Sequence, residues 1–211
     1  MSALKKILMM ANQAEEENLL PEGYVECEWL YSAGKCYIPT GISGDDIIVE
    51  AVLQADRHTS TYMAPFGAHC DYMGYSLFHY SNGGWGLSSA NKFSYNGERI
   101  QIRAVLSISK EFSIECSIND TLDGKYAETL KQQTNTFRQN VGFNIFSPRA
   151  AASSDAFVGW LWYFNVFDFN GNLLRRYVPA LRPDGTPGLY DTVNGSFLLN
   201  RGNGILSYKL K

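Results

Sequence analysis

From Tyr24 onward, apolar residues recur at every second position. Val25, Cys27, Trp29 and Tyr31 fall on one face while Glu26 and Glu28 take the other, the pattern of a half-buried strand. Ile47, Val49, Ala51, Leu53 and Ala55 repeat it, as do Ile100, Ile102, Ala104, Leu106 and Ile108. The last run passes through Ser109 to Glu111 into Phe112, Ile114, Cys116 and Ile118, which predicts a hairpin with a short polar turn. Val141, Phe143 and Ile145 continue the series. A further strand is predicted from Phe157 to Phe169, turning at Asn170-Gly171, where both residues tolerate positive φ, and returning through Leu173, Arg175 and Tyr177. Tyr80 to Asn96 and Ser147 to Asp155 hold no such period and are predicted as exposed loops.

The first twenty residues are different. Leu4, Ile7, Leu8 and Ala11 recur at helical spacing, and Pro21 and Gly23 end the pattern. The chain therefore divides into a short amphipathic helix over 1–20 and an all-β, two-sheet antiparallel jelly-roll sandwich over 21–211. Alone, a helix of about 12–15 residues is marginal in water. This one also sets Lys5 and Lys6 at its positive end and Glu15 to Glu17 at its negative end, against the helix dipole. Either the apolar stripe docks on another copy or on a neighbouring protein as an attachment and oligomerisation element, or the segment frays or folds back on its own domain.

One strand carries too many apolar residues. In FVGWLWYFNVFDF, strict alternation puts Phe157, Leu161, Tyr163 and Phe167 on one face and Val158, Trp160, Trp162, Phe164 and Val166 on the other. A strand exposed on one side should not read this way. Its second face, marked by Trp160 and Trp162, is expected to be covered by a loop or the leading helix, or to form an interface.

Composition narrows the function classes. Hydrophobic residues make up 45% and charged residues 18%, so a packed core is expected rather than disorder. A net charge of -3 with scattered Lys and Arg offers no basic stripe for phosphates, and nucleic acid is not an expected partner. No apolar run approaches the ~20 residues that insertion into a bilayer requires. The apolar stretch Ile7 to Ala11 is shorter than the ~7–15-residue core of a secretion signal, so none is expected. Cys27, Cys36, Cys70 and Cys116 form no CxxC pair and read as reduced core thiols.

Two stretches carry a resemblance. LPEGYVECEWLYSAGKCYIPTGI (Leu20 to Ile42) resembles the opening of a laminin G-like, concanavalin A-like module of gut-bacterial and phage proteins. RRYVPALRPDGTPGLYDTVNGSFLLNRGNGIL (Arg175 to Leu206) resembles its close, in Val178-Pro179-Ala180, the Pro183-Asp184-Gly185 turn, Gly188-Leu189-Tyr190-Asp191, Asn194-Gly195 and Gly202 to Gly204. The resemblance implies a lectin-like sandwich spanning nearly all of 21–211. Read as residues, Asp184-Gly185 and Asn194-Gly195 are turns before they are chemistry, and Tyr190 and Phe197 are anchors for the tail.

Catalysis is not expected. A retaining glycosidase needs two carboxylates about 5–5.5 Å apart, and the glutamate-x-aspartate-x-x-glutamate strand motif of β-glucan hydrolases on this fold does not occur. Glu26 and Glu28 share a face but read as solvated, and Glu111 and Glu115 are wrongly spaced. His69-Cys70-Asp71 has neither HxH nor CxxC spacing, so no metal or cofactor is expected. Binding remains. GYSLFHYSNGGWGLSSANKFSY (Gly74 to Tyr95) interleaves aromatic rings with amides and hydroxyls. Tyr80, Asn82, Trp85 and Asn91 would suit a glycan by stacking and hydrogen bonding, although Trp85 equally suits a loop anchor. The sequence thus points to a non-catalytic structural or binding protein. A phage virion component for assembly or host-glycan adhesion comes first, a carbohydrate-binding module of a bacterial surface protein second, and a glycoside hydrolase third.

Overall fold

The computed structural model of the protein describes residues 20–43, 46–56, 62–70, 73–80, 84–87, 91–94, 99–107, 113–119, 128–133, 142–149 and 156–211. These form two antiparallel sheets stacked as a sandwich. The helix expected over 1–20, with Leu4, Ile7, Leu8 and Ala11, lies outside the described residues apart from Leu20.

The larger sheet centres on β13 (Val158–Phe167). On one side β13 pairs with β3 (Ile47–Ala55), which pairs in turn with β9 (Ile100–Ser107), β10 (Ser113–Asn119) and β11 (Glu128–Gln133). Its other edge is shared: β1 (Val25–Ala33) takes Val158 to Leu161, and β14 (Leu173–Leu181) takes Phe164 to Phe167. Beyond β14 lie β15 (Pro187–Asp191) and β16 (Ser196–Leu199), and β17 (Leu206–Leu210) pairs with β1. The smaller sheet runs β2 (Ile38–Ser43), β12 (Gly142–Ile145), β5 (Phe66–Cys70), β6 (Met73–Tyr80), β7 (Gly84–Leu87) and β8 (Asn91–Ser94), with β4 (Tyr62–Met63) against β6.

Alternation in β3 and β9 follows the sequence: Val49, Ala51, Leu53, Ile100, Ile102, Ala104 and Leu106 all enter one core. From the smaller sheet, Ile38, Phe66, Phe143 and Ile145 meet them. Phe164 bridges the layers, with ring centroids 5.4 Å from Phe66, 5.8 Å from Phe143 and 6.3 Å from Tyr177. One hydroxyl ties the sheets further, Tyr177 Oη donating to the Thr40 carbonyl at 3.4 Å, while within the smaller sheet Thr40 Oγ1 donates to the Phe143 carbonyl at 2.6 Å.

Two strands depart from the predicted faces for one reason. The register of β1 against β17 shifts between Cys27 and Trp29, and that of β13 against β3 shifts between Leu161 and Tyr163. Each shift is a β-bulge, whose extra residue reverses the alternation downstream. Cys27 stays buried, but Leu30 and Ser32 then face inward in place of Trp29 and Tyr31. In β13, Leu161, Phe164 and Val166 are buried together, while Trp160 and Tyr163 share rows with the outward Gln54 and Val52. The faces predicted from strict alternation are wrong in both strands.

Other expectations are revised in detail. The stretch Tyr80 to Asn96 is not one loop, because β7 and β8 lie within it. At the β13–β14 turn only Gly171 takes positive φ, at 84°. Asp168 shapes that turn, its Oδ1 accepting from Asn170 N at 2.9 Å and Asn172 N at 2.8 Å. Val141 and the 109–111 turn lie outside the described residues, though β9 and β10 do pair antiparallel.

The closing stretch is architecture. Asp184 Oδ1 accepts from Thr186 N at 3.0 Å, and its carboxylate holds Arg182. Asp191, buried, accepts at Oδ1 from Val193 N at 3.0 Å and faces Arg175 Nε at 3.3 Å through Oδ2. Tyr190 and Phe197 anchor the tail: the Tyr24 ring lies 5.2 Å from Tyr190 and 5.6 Å from Phe197, over Leu20 and Ala180. Opening and close are thus clasped together.

Cys27 and Cys36 are free and buried; the side chains of Cys70 and Cys116 lie outside the described residues. Burial, reinforced by Glu26, pushes the Cys27 thiol up to about 11, and burial raises Cys36 as well. The thiolate is the reactive form. Iodoacetamide at pH 8 is therefore expected to leave both unmodified in the native protein and to label both in guanidinium, as read by peptide mass mapping. Native labelling at Cys27 would contradict this placement.

Candidate functional site

The outward face of the larger sheet gathers the unexplained aromatic residues. Cross-strand registers arrange it in rows about 7 Å apart along the strands. The first row runs Tyr31, Trp160, Gln54; the second Tyr163, Val52, Gln101; the third Asn165, Glu50, Arg103, with Arg176 beside Asn165. Val52 and Gln101 are only 4% and 6% exposed, so they form a buried floor. Around it stand half-buried rings: Tyr31 packs on Trp160 with centroids 4.8 Å apart, and the Arg99 guanidinium lies 5.0 Å from the Trp162 ring centroid.

Polar partners fix most of these groups. Tyr31 Oη donates to Asp56 Oδ2 at 2.9 Å, and Gln101 Nε2 donates to Tyr163 Oη at 3.1 Å. Burial pushes the Tyr163 phenol up to about 12, with the Glu50 carboxylate adding to it. Glu50 is itself raised by burial and drawn back by Arg103, whose Nε lies 3.6 Å away. Two atoms are left over. Among the described residues, Trp162 Nε1 and Asn165 Oδ1 are screened from solvent and have no hydrogen-bond partner, a state that is costly and uncommon.

These groups have a common chemical reach. An indole ring offers stacking, a free N–H needs an acceptor, and a free amide oxygen needs a donor; one polyhydroxylated molecule supplies all three. Acid–base chemistry finds less to work with. Glu50 in the third row and Asp56, reached from the first row by Tyr31, are the carboxylates in contact with these groups, and six residues of extended chain separate them by about 20 Å, whereas paired glycosidase carboxylates stand about 5–9.5 Å apart. Among the described residues no three His, Cys, Asp or Glu side chains gather as metal ligands, and no helix is long and apolar enough to cross a membrane.

Trp160 and Trp162, singled out as the surplus of their strand, both belong to this face. Bulging at Trp162 shifts that indole out of register. The other predicted residues lie on the smaller sheet: Tyr80 ends β6, Trp85 lies in β7 opposite His79 and Phe93, and Asn91 starts β8 opposite Leu87. Asn82 lies outside the described residues, as do the side chains of the other three. Along β7, Trp85 and the Asn91 partner Leu87 are two residues apart, so Asn91 sits toward the far end of the hairpin from Tyr80. Arg99, Gln101 and Asn165 were not identified from sequence, because only strand register brings them beside the tryptophans.

No family model and no curated protein sequence matches this chain. A solved structure it resembles is a "putative carbohydrate binding protein" from Bacteroides ovatus ATCC 8483, with a TM-score of 0.56 and 12% identity over 88% of this chain and 61% of that one. The chain therefore spans about three-fifths of that protein's length. At this identity the likeness is one of fold. The heptameric SAP-like pentraxin of Limulus polyphemus aligns over 88% of this chain and 94% of its own at 10% identity, but its TM-score of 0.45 bears no argument.

Proposed function

We propose that this chain is a non-catalytic glycan-binding sandwich whose ligand lies on the outward face of the larger sheet. The observation that carries the reading is the buried Val52–Gln101 floor ringed by Tyr31, Trp160 and Trp162, with an unsatisfied donor and acceptor in its wall. It is supported by the carbohydrate-binding name of the Bacteroides ovatus protein and by the laminin G-like, concanavalin A-like resemblance of Leu20 to Ile42 and Arg175 to Leu206. Glycan-array profiling of the wild type, Trp160→Ala and Trp85→Ala tests it. Trp160→Ala is expected to lose binding about tenfold or more, the scale of one stacked aromatic contact, while Trp85→Ala is unchanged. The opposite pattern would move the site to the edge of the smaller sheet. Turnover of any polysaccharide, abolished by amidating one acid, would make the protein a hydrolase instead.

In the same reading the module is displayed on a phage virion or, alternatively, a bacterial surface, and residues 1–20 attach it to another copy or to a neighbouring protein. The amphipathic stripe Leu4, Ile7, Leu8 and Ala11 supports this. Light scattering is expected to show an oligomer that becomes a monomer when 1–20 are removed. A monomer in both forms would eliminate the attachment role.

A further inference from the structure

We infer that the ligand is an acidic glycan, and that its carboxylate draws Arg99 off the Trp162 ring to open the site; this rests on the glycan-binding reading above. Arg99 is exposed, and no carboxylate among the described residues pairs with it. Glu50 is held by Arg103, and Asp56 accepts from Tyr31. In the three rows and beside them, the guanidinium groups of Arg99, Arg103 and Arg176 outnumber the two carboxylates that contact these groups, Glu50 and Asp56, so the described face favours an anion.

Arg99 also acts as a cover. Its guanidinium stands over the indole at 5.0 Å, and beneath it Trp162 Nε1 is screened from solvent with no hydrogen-bond partner among the described residues. The cation–ring attraction that keeps it there is weak at an exposed site. A charge-assisted, two-pronged bond to a carboxylate is stronger. When the carboxylate takes the guanidinium, the ring is freed for the apolar face of the sugar. The indole N–H then meets a hydroxyl oxygen, and a second hydroxyl donates to Asn165 Oδ1. A neutral sugar supplies the hydroxyls but nothing to move the arginine.

The test uses the full chain and an array of carboxylated glycans containing galacturonate, glucuronate or sialate, each beside its methyl ester, which keeps the hydroxyls and removes the charge. At least one acid is expected to bind about tenfold more tightly than its ester, in line with the strength of charge-assisted bonding. Arg99→Gln is expected to reduce that ratio to near one while leaving the circular dichroism spectrum unchanged. Raising the salt concentration should weaken the acid and not the ester. Equal binding of acid and ester, a preference that survives Arg99→Gln, or binding confined to neutral or sulfated glycans would overturn the inference and leave the glycan-binding reading intact. Failure to bind any glycan would remove that reading as well.

Discussion

Replacing Phe164 by Ala is expected to cost about 4 kcal/mol, near the upper end for a buried phenylalanine. The side chain is fully buried and meets Phe66 and Phe143 from the smaller sheet and Tyr177 from the larger. Its strand is also hemmed in by β3, β1 and β14. A cavity there is lined by groups fixed in two separate layers, so neither sheet can close it without losing its own register. In a chain of this length, 4 kcal/mol corresponds to a fall in Tm of roughly 8–16 °C. Urea denaturation gives the direct measure. A loss below about 1 kcal/mol would mean that the layers collapse freely onto the gap, and the bridging role assigned to Phe164 would be wrong.

Gly204→Ala is expected to cost about 3 kcal/mol, the upper range for overpacking, although the residue sits near the surface. A methyl group there would lie 1.9 Å from the Gly34 carbonyl oxygen and 2.7 Å from Cys36 Sγ. The first neighbour is backbone and cannot swing aside. Nor can the loop move away easily: Asn200 binds it from within, accepting from Tyr37 N and Gly202 N and donating to the Gly204 carbonyl at 2.7 Å. Gly171→Ala makes the useful contrast. It has open space around it but a φ of 84°, so only the conformational cost of about 1–2 kcal/mol applies. If the two variants melted together, the close approach at Gly204 would not be a constraint.

The sandwich was legible because β3 and β9 alternate without interruption, and a pattern of period two needs no knowledge of its partners. Trp29 and Tyr31 in β1, and Tyr163, Phe164 and Val166 in β13, were assigned to the wrong face because a bulge adds a residue without leaving a mark in the sequence; Gly or Pro at the bulge would have been a signal, and Glu28 and Trp162 are neither. Strands β7 and β8, GWGL and NKFS, are four residues each and rich in glycine and polar groups, so they read as loop. As for the face itself, the surplus of aromatics in β13 was visible. Its meaning was not. Gln101 and the Arg99 cover lie some sixty residues upstream of Trp162 and Val52 some 110, and only strand pairing places them there.

Pairing of β1 with β13, β14 and β17 has a bearing on synthesis. Among the described residues, every strand that pairs with β1 lies more than 120 residues after it. Until those strands have been made, the edges of β1 stay open to whatever else is nearby, and such topologies fold slowly and invite aggregation. Yield in a heterologous host should therefore respond to chaperone supply and growth temperature.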